Sequence, residues 1–314
     1  MLRSAVVCAV CVMVIACSGT DDRASESGTT STERPEVAST STTPTVSTTV
    51  PPAPASLARP EVADDAAGIG DQLVTAERAV RDPGTAEEEL AGWAHLQQVA
   101  YRALAMRPEW DVVVLAGVPP ELHDAVMLNL EARRELRQLV STVRDTVPAW
   151  RIVDPPAADV LVSAYQAAET EFGVPWEYLA AVNLVESALG RIRGTSEAGA
   201  QGPMQFLPDT WAAYGEGDID DPHDAVRAAA RYLADYGGAD GSLADALYAY
   251  NHSDHYVAGV TAIARVIEAD VAAFSGYYHW QVYYLTTSGD VWLPAGYVAT
   301  EPIPVTEYLA THPQ

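Results

Sequence analysis

Lysine is absent from this chain of 314 residues, and all 18 basic residues are arginine. Cysteine is scarce, since its three occurrences, Cys8, Cys11 and Cys17, all lie at the amino-terminal end. This placement excludes a disulfide scaffold, so packing alone must hold the fold. The 18 basic residues face 43 acidic ones, a net charge of -25. That balance excludes nucleic-acid binding, because phosphates require a basic surface.

The sequence also lacks an apolar run long enough to span a bilayer, for which about 20 residues are needed. Arg3 precedes a shorter apolar run, Ala5–Ala16, which is typical of a signal-peptide core. The run ends in Val-Ile-Ala before Cys17, and this ending resembles the lipobox of bacterial lipoproteins. We therefore expect a signal peptide over residues 1–16, lipidation of Cys17 and anchoring to the outer face of the cytoplasmic membrane. The alternative is an ordinary secretory signal with a chance cysteine.

Composition divides the remaining chain into four parts. Residues 17–63 are rich in Ser, Thr and Pro with few large apolar side chains, which predicts a disordered tether. Residues 64–150 carry apolar stripes at helical spacing and predict a helical support subdomain. Residues 151–275 predict a mainly helical catalytic domain, and residues 276–314 a β-hairpin with a tail.

Six helices are predicted within residues 151–275. Their expected ranges are 157–172, 176–189, 208–214, 222–236, 243–250 and 255–269, and the expected caps are Asp221, Ser242 and Asp254. Past Gly276, two apolar and aromatic runs, 279–285 and 291–293, flank a polar turn and predict the hairpin.

Glu186 is the candidate catalytic residue. It lies on the margin of the apolar stripe of the helix predicted over 176–189. A carboxyl among apolar side chains keeps its proton near neutral pH and can donate it to a leaving sugar oxygen. The structural alternatives are a surface glutamate on the margin of the stripe, or a glutamate paired with Arg191 or Arg193.

Two further patterns follow Glu186-Ser187. The loop Ser196-x-x-Gly199-Ala200-x-Gly202-Pro-Met204-Gln205 combines glycines, which allow close backbone approach, with neutral polar groups suited to sugars. Ala249-Tyr250-Asn251 ends a later helix. Together these patterns resemble, over about residues 157–270, the motifs of the soluble lytic transglycosylases, while Gly-Pro-Met-Gln-Phe is closer to their membrane-bound branch. The resemblance implies a mainly α, lysozyme-like catalytic domain that cleaves peptidoglycan.

The resemblance also assigns roles. Glu186 is the single catalytic acid and then the base, and the product is a 1,6-anhydro muramoyl sugar. Ser196 is expected near the N-acetyl group, Met204 and Gln205 in the cleft floor, and Tyr250 beside the acid or the acetamide. The substrate-binding residues implied are Ser187, Ser196, Met204, Gln205, Tyr250 and Asn251.

Other readings of the site compete with this one. A hydrolytic muramidase would need a second acid, and the candidates are Glu197, Asp209, Glu216, Asp218, Asp220 and Asp221. A non-catalytic wall-binding lipoprotein is the other alternative. Calcium at Asp218-x-Asp220-Asp221 and zinc at His252-x-x-His255 lack the supporting ligands of known sites. We therefore expect no metal or cofactor, with glycan strands and, through the lipid, the membrane as partners.

Overall fold

The computed structural model describes residues 58–314. The predicted signal peptide, the lipidation at Cys17 and all but the end of the predicted tether lie outside these residues. The described chain packs against the protein from its start, because Pro60 is buried and Val62 contacts the core. Arg59 lies over the ring of Tyr283, with 5.6 Å from its guanidinium carbon to the ring centre. Arg59, Pro60 and Val62, which the sequence assigns to the tether, thus contact the folded part of the chain.

Four helices make up the amino-terminal part of the described chain. They are α1 (Ala66–Arg81), α2 (Glu87–Ala105), α3 (Asp111–Gly117) and α4 (His123–Arg137). Asp65 begins α1, and its carboxylate accepts hydrogen bonds from the backbone N–H groups of Ala67 and Gly68. Pro108 and Pro120 each open a short 3₁₀ turn before the next helix. Most apolar residues at helical spacing in this part are buried in α1, α2 and α4. Helix α4 ends at Arg137, so Leu139 and Val140 lie outside it.

Eight more helices follow. They are α5 (Ala158–Phe172), α6 (Trp176–Ser187), α7 (Pro208–Tyr214), α8 (Pro222–Asp235), α9 (Leu243–Tyr250), α10 (Asp254–Ala269), α11 (Ala273–His279) and α12 (Val305–Thr311). The prediction of a mainly α fold is confirmed, and the predicted helices recur within two residues at their ends. Asp221 caps α8 as expected. Ser242 makes no capping bond, and α10 begins at Asp254 itself, one residue earlier than predicted.

Three antiparallel strand pairs complete the fold. They are β1 (Thr146–Val147) with β6 (Ile303–Pro304), β2 (Arg151–Ile152) with β3 (Ile192–Arg193), and β4 (Val282–Thr286) with β5 (Gly289–Leu293). The β4–β5 pair is the expected hairpin. Its first strand begins three residues later than predicted, because α11 occupies the chain through His279.

Two apolar cores position the site. The larger one contains residues of α1 to α11, so the amino-terminal helices and the predicted catalytic domain share it. Helix α4 packs closely along α10, and any side chain at Gly259 would collide with Leu136. The second core joins Trp150, Ala188 and Ile192 to the hairpin and α12. No helix within residues 58–314 is long and apolar enough to cross a membrane.

Candidate active site

Glu186 lies in the last turn of α6 with its side chain fully buried. Its Oε1 atom accepts a hydrogen bond of 2.8 Å from the hydroxyl of Tyr256. Its Oε2 atom has no hydrogen-bond partner. Burial disfavours the charged form and raises the pKa of Glu186 to about 8, although the Tyr256 bond opposes this shift. The carboxyl group is therefore protonated at neutral pH.

The surface alternative for Glu186 is wrong, because both proposed arginine partners bind elsewhere. Arg191 donates to the carbonyl oxygen of Tyr278 at 2.8 Å, and Arg193 pairs with Asp220 at 3.3 Å. Helix α6 is buried around most of its circumference, since its interior residues lie inside the larger core. A glutamate at its end is consequently enclosed rather than exposed on a margin.

The helix end after the acid has an unusual backbone. Ala188 and Leu189 have φ values of 54° and 61°, and Gly190 follows at 80°. Left-handed backbone is disfavoured for alanine and leucine by about 1–2 kcal/mol each. Both side chains are nevertheless buried, Ala188 in the second core and Leu189 in the larger one. Helix α6 thus ends at Ser187, two residues before the predicted Leu189, because packing on both sides imposes the turn.

Ser187 connects this helix end to the polar loop. Its hydroxyl donates to the carbonyl oxygen of Pro203 at 2.5 Å and accepts from the N–H of Gly190 at 2.9 Å. Asn183, one turn earlier, also donates to Pro203 at 2.8 Å. Because Ser187 is fully buried in these contacts, its observed role is to hold the loop against the acid-bearing helix.

The loop is a compact structure of its own. Ser196 Oγ accepts from the N–H of Ala200 at 3.0 Å, and Gln201 and Phe206 exchange two backbone hydrogen bonds of 2.9 Å. At Gly202, with φ of 73°, any Cβ atom would collide with the carbonyl oxygen of Ile219. Gln205 is held by its own bond to the carbonyl oxygen of Gly202 at 2.9 Å. The loop therefore presents its residues in a fixed arrangement.

Tyr250 and Asn251 lie at the end of α9, where Tyr250 contacts the loop. Tyr250 donates to the carbonyl oxygen of Met204 at 2.6 Å, and both residues are buried. Asn251 is buried with its Nδ2 atom unpaired, so it offers a donor inside the site. The rings of Tyr250 and Tyr256 stack at 6.5 Å. The structure thus brings Tyr250 against the loop at Met204, and Asn251 follows Tyr250 at the end of α9.

Tyr256 is a site residue that no motif in the sequence marks. It lies in the first turn of α10 and shares a buried stripe with Val260 and Ile263. By spacing alone it is an ordinary core residue. Its hydroxyl reaches Glu186 only because α10 packs against α6, a contact between helices that are far apart in the chain.

The six candidate second acids have other structural roles or lie in solvent. Glu197 pairs with Arg144, Glu216 with Arg227, and Asp220 with Arg193. Asp221 caps α8 and Asp218 accepts from a backbone N–H in the turn before it. Asp209 is exposed in the first turn of α7.

The residues of the calcium and zinc alternatives lie in the part of the chain that the structure describes. Within residues 58–314, no group of three or more His, Cys, Asp or Glu side chains could hold a metal ion. Of the two histidines considered for zinc, His255 binds the carboxylate of Glu135 at 2.7 Å and His252 lies against Tyr248.

A groove of about 730 Å³ adjoins the loop at Ser196. Trp150 and Tyr284 contribute aromatic rings to it, and their ring centres lie 5.3 Å apart. Glu197 also lines the groove and accepts two hydrogen bonds of 3.0 Å from Arg144. Ser196, one of the predicted substrate residues, therefore lines this groove.

The described chain thus has a lysozyme-like, mainly helical fold with a buried carboxyl, Glu186, on a helix whose end holds a polar loop. Residues 163–265 match the family model described as the transglycosylase SLT domain. The match supports a relation of this part of the chain to the lytic transglycosylase and lysozyme-like superfamily, which acts on peptidoglycan. Neither the curated proteins nor the solved structures gave a match to the chain.

Proposed function

We propose that this protein is a peptidoglycan lytic transglycosylase that cleaves the β-1,4 bond between N-acetylmuramic acid and N-acetylglucosamine. The observation that carries the proposal is the state of Glu186, a fully buried carboxyl with a pKa of about 8. An acid of this pKa holds a transferable proton at neutral pH and is still readily deprotonated afterwards.

The first step is protonation of the leaving oxygen. Tyr256 donates to Oε1, so the carboxyl proton belongs on Oε2, which has no partner in the protein. Oε2 can therefore donate its proton to the glycosidic oxygen of the substrate. Because Glu186 is fully enclosed, the glycan must displace covering side chains to reach it, and the acid then acts in a water-poor environment.

The second step closes the anhydro ring. After the C1–O bond breaks, the substrate's own acetamide stabilises the positive charge at C1. Glu186, now a carboxylate, takes the proton from the C6 hydroxyl, whose oxygen bonds to C1, and no water is consumed. The Tyr256 hydrogen bond favours this charged form. Ring closure rather than hydrolysis is supported by the positions of the candidate second acids, which are paired, cap a turn or helix, or are exposed, since most retaining and inverting hydrolases use two carboxyl groups.

The proposed setting is the cell envelope. The apolar run Ala5–Ala16 and Cys17 support export and a lipid anchor on the outer face of the cytoplasmic membrane. The net charge of -25 favours a lipid anchor over electrostatic attachment, because anionic headgroups repel an acidic protein. Labelling of the expressed protein with a radioactive fatty acid, compared with Cys17→Ser, tests this setting: label on the wild type alone supports it, and label on neither refutes the anchor.

Product analysis tests the activity. Purified protein is incubated with insoluble murein, and soluble products are identified by mass spectrometry. We expect anhydro-muropeptides, which are lighter by one water than hydrolysis products, from the wild type and none from Glu186→Gln. The matched control is Glu131→Gln, which makes the same change at an exposed position of α4 and should leave the products unchanged. Hydrated products would overturn ring closure, and equal activity of Glu186→Gln would overturn the catalytic assignment.

A further inference from the structure

We propose that the groove beside Ser196 binds a further stretch of the glycan strand, through walls that lie outside the transglycosylase domain. This inference rests on the proposed function, because the ligand proposed for the groove is the same glycan strand that Glu186 would cleave. Its volume of about 730 Å³ lies within the roughly 300–1,000 Å³ range of ligand pockets. It is therefore large enough to receive sugar rings rather than a single ion or water.

The groove has walls that the family match does not cover. Thr142 and Trp150 come from the segment before the matched residues, and Tyr284 and Pro302 come from the hairpin and the chain after it. The matched domain contributes the short segment around Ser196. Binding here would thus be a property of this chain and its particular extensions.

The groove and the acid share one continuous piece of backbone. Glu186 lies in the last turn of α6, and Ala188 just after it packs in the second core with Trp150. The chain then forms β3, which pairs with β2, before it reaches Ser196. Arg144 fastens the opposite wall, because its side chain binds Glu197 and its carbonyl oxygen accepts from the N–H of Thr287 at 2.8 Å. A short, packed segment of chain therefore joins the acid-bearing helix to the groove.

The chemistry of the lining favours a neutral saccharide over the acidic stem peptide of peptidoglycan. Hydroxyl groups of Thr142, Thr146 and Ser196 can exchange hydrogen bonds with sugar hydroxyls, and the Trp150 and Tyr284 rings offer apolar surface for sugar C–H groups. The cation in the lining, Arg144, is paired with Glu197. Peptide carboxylates would have to compete with that pair within a strongly acidic protein.

The test uses length-dependent binding in the Glu186→Gln protein, which removes the cleavage step. Chitotriose and chitohexaose are titrated by calorimetry into this protein and into three variants of it. Thr142→Arg and Pro302→Arg each place a long side chain in an exposed position of one groove wall. Thr170→Arg makes the matched change at an exposed position of α5, away from the groove.

We expect chitohexaose to bind the parent roughly tenfold more tightly than chitotriose, a gain of about 1.4 kcal/mol. Thr142→Arg and Pro302→Arg should abolish that gain while chitotriose affinity is kept, which also shows that both variants are folded. Thr170→Arg should retain the gain. Equal binding of the two sugars, or a gain that survives both groove variants, would overturn the inference. Saturable binding of a free stem pentapeptide that Thr142→Arg abolishes would also overturn it, in favour of a peptide site.

The outcome is separable from that of the proposed function. Anhydro-muropeptides from the wild type together with no length dependence would refute the groove alone. Length-dependent binding that the groove variants abolish, together with an inactive wild type, would support the groove and refute the activity. A protein that neither cleaves murein nor binds either oligosaccharide would refute both.

Discussion

Replacing Glu186 with glutamine should change the stability of the protein as well as its activity, and by an amount that depends on pH. The substitution keeps the shape of the side chain and an oxygen that can accept the Tyr256 hydrogen bond. What it removes is an ionisable group in a fully buried place. The difference between the two proteins in the free energy of unfolding therefore isolates the titration of this one carboxyl.

The magnitude follows from the raised pKa. Burial moves the pKa of Glu186 from an ordinary 4.5 to about 8 in the folded protein. Below the lower value the group is protonated in both states, and its full contribution to stability is present. As pH rises through the folded pKa that contribution is lost, because the unfolded chain ionises first. At about 1.4 kcal/mol per pKa unit, the wild type loses about 5 kcal/mol in all, of which about 3 kcal/mol is lost by pH 7.

The assay is denaturant unfolding of wild type and Glu186→Gln between about pH 4 and pH 9, a range chosen to bracket both pKa values. The many other acidic residues titrate in both proteins, so their contributions cancel in the difference. We expect the variant to gain stability relative to the wild type as pH rises, and the gain to level off above about pH 8. Glu131→Gln, which makes the same change at an exposed position of α4, is the control. Parallel curves for wild type and Glu186→Gln would refute the reasoning, since they would mean that the carboxyl is not desolvated.

Three further outcomes follow from the site. The rate of murein cleavage should fall as pH rises through about 8, because Glu186 then loses the proton it donates; a rate that holds steady to pH 10 would contradict this. Tyr256→Phe should lower the rate about 10- to 100-fold and move the alkaline limb of the pH–rate profile upward, because the bond that stabilises the carboxylate is lost; an unmoved limb would mean that the bond does not act on the acid. Ser187→Ala should lower the free energy of unfolding by about 1–3 kcal/mol, measured in denaturant, because the buried N–H of Gly190 loses its acceptor; a variant as stable as the wild type would show that water replaces it.

The helices could be predicted because their signals are local. Pro208 opens α7, Asp221 caps α8, and apolar spacing marks the buried face of each. Such features depend on the identity of a few neighbouring residues, and they fixed helix ends within two residues. The hairpin was predicted for the same reason, but its start was placed three residues too early because aromatic residues such as Trp280 suit a strand as well as the end of a helix.

The details of the site could not be predicted because they are set by contacts distant in sequence. Glu186 appeared marginal on a helical wheel, yet α10 covers that margin and buries it. Tyr256 carries no motif, and its role comes from the packing of α10 on α6. Ala188 and Leu189 give no sign of left-handed backbone, since nothing in their identity favours it. In each case tertiary structure overrides a local preference.

These contacts also explain why the acid depends on more of the chain than the family match covers. The match ends at residue 265, yet Ala188, two residues after Glu186, packs in a core completed by Val291, Leu293 and Tyr308. On the other side, Leu184 and Val185 pack in the core that contains α1 to α4. The strained turn after α6 persists only if both cores press on it, because alanine and leucine would otherwise leave the left-handed region. The amino-terminal helices and the hairpin therefore support the candidate site, although neither contains Glu186.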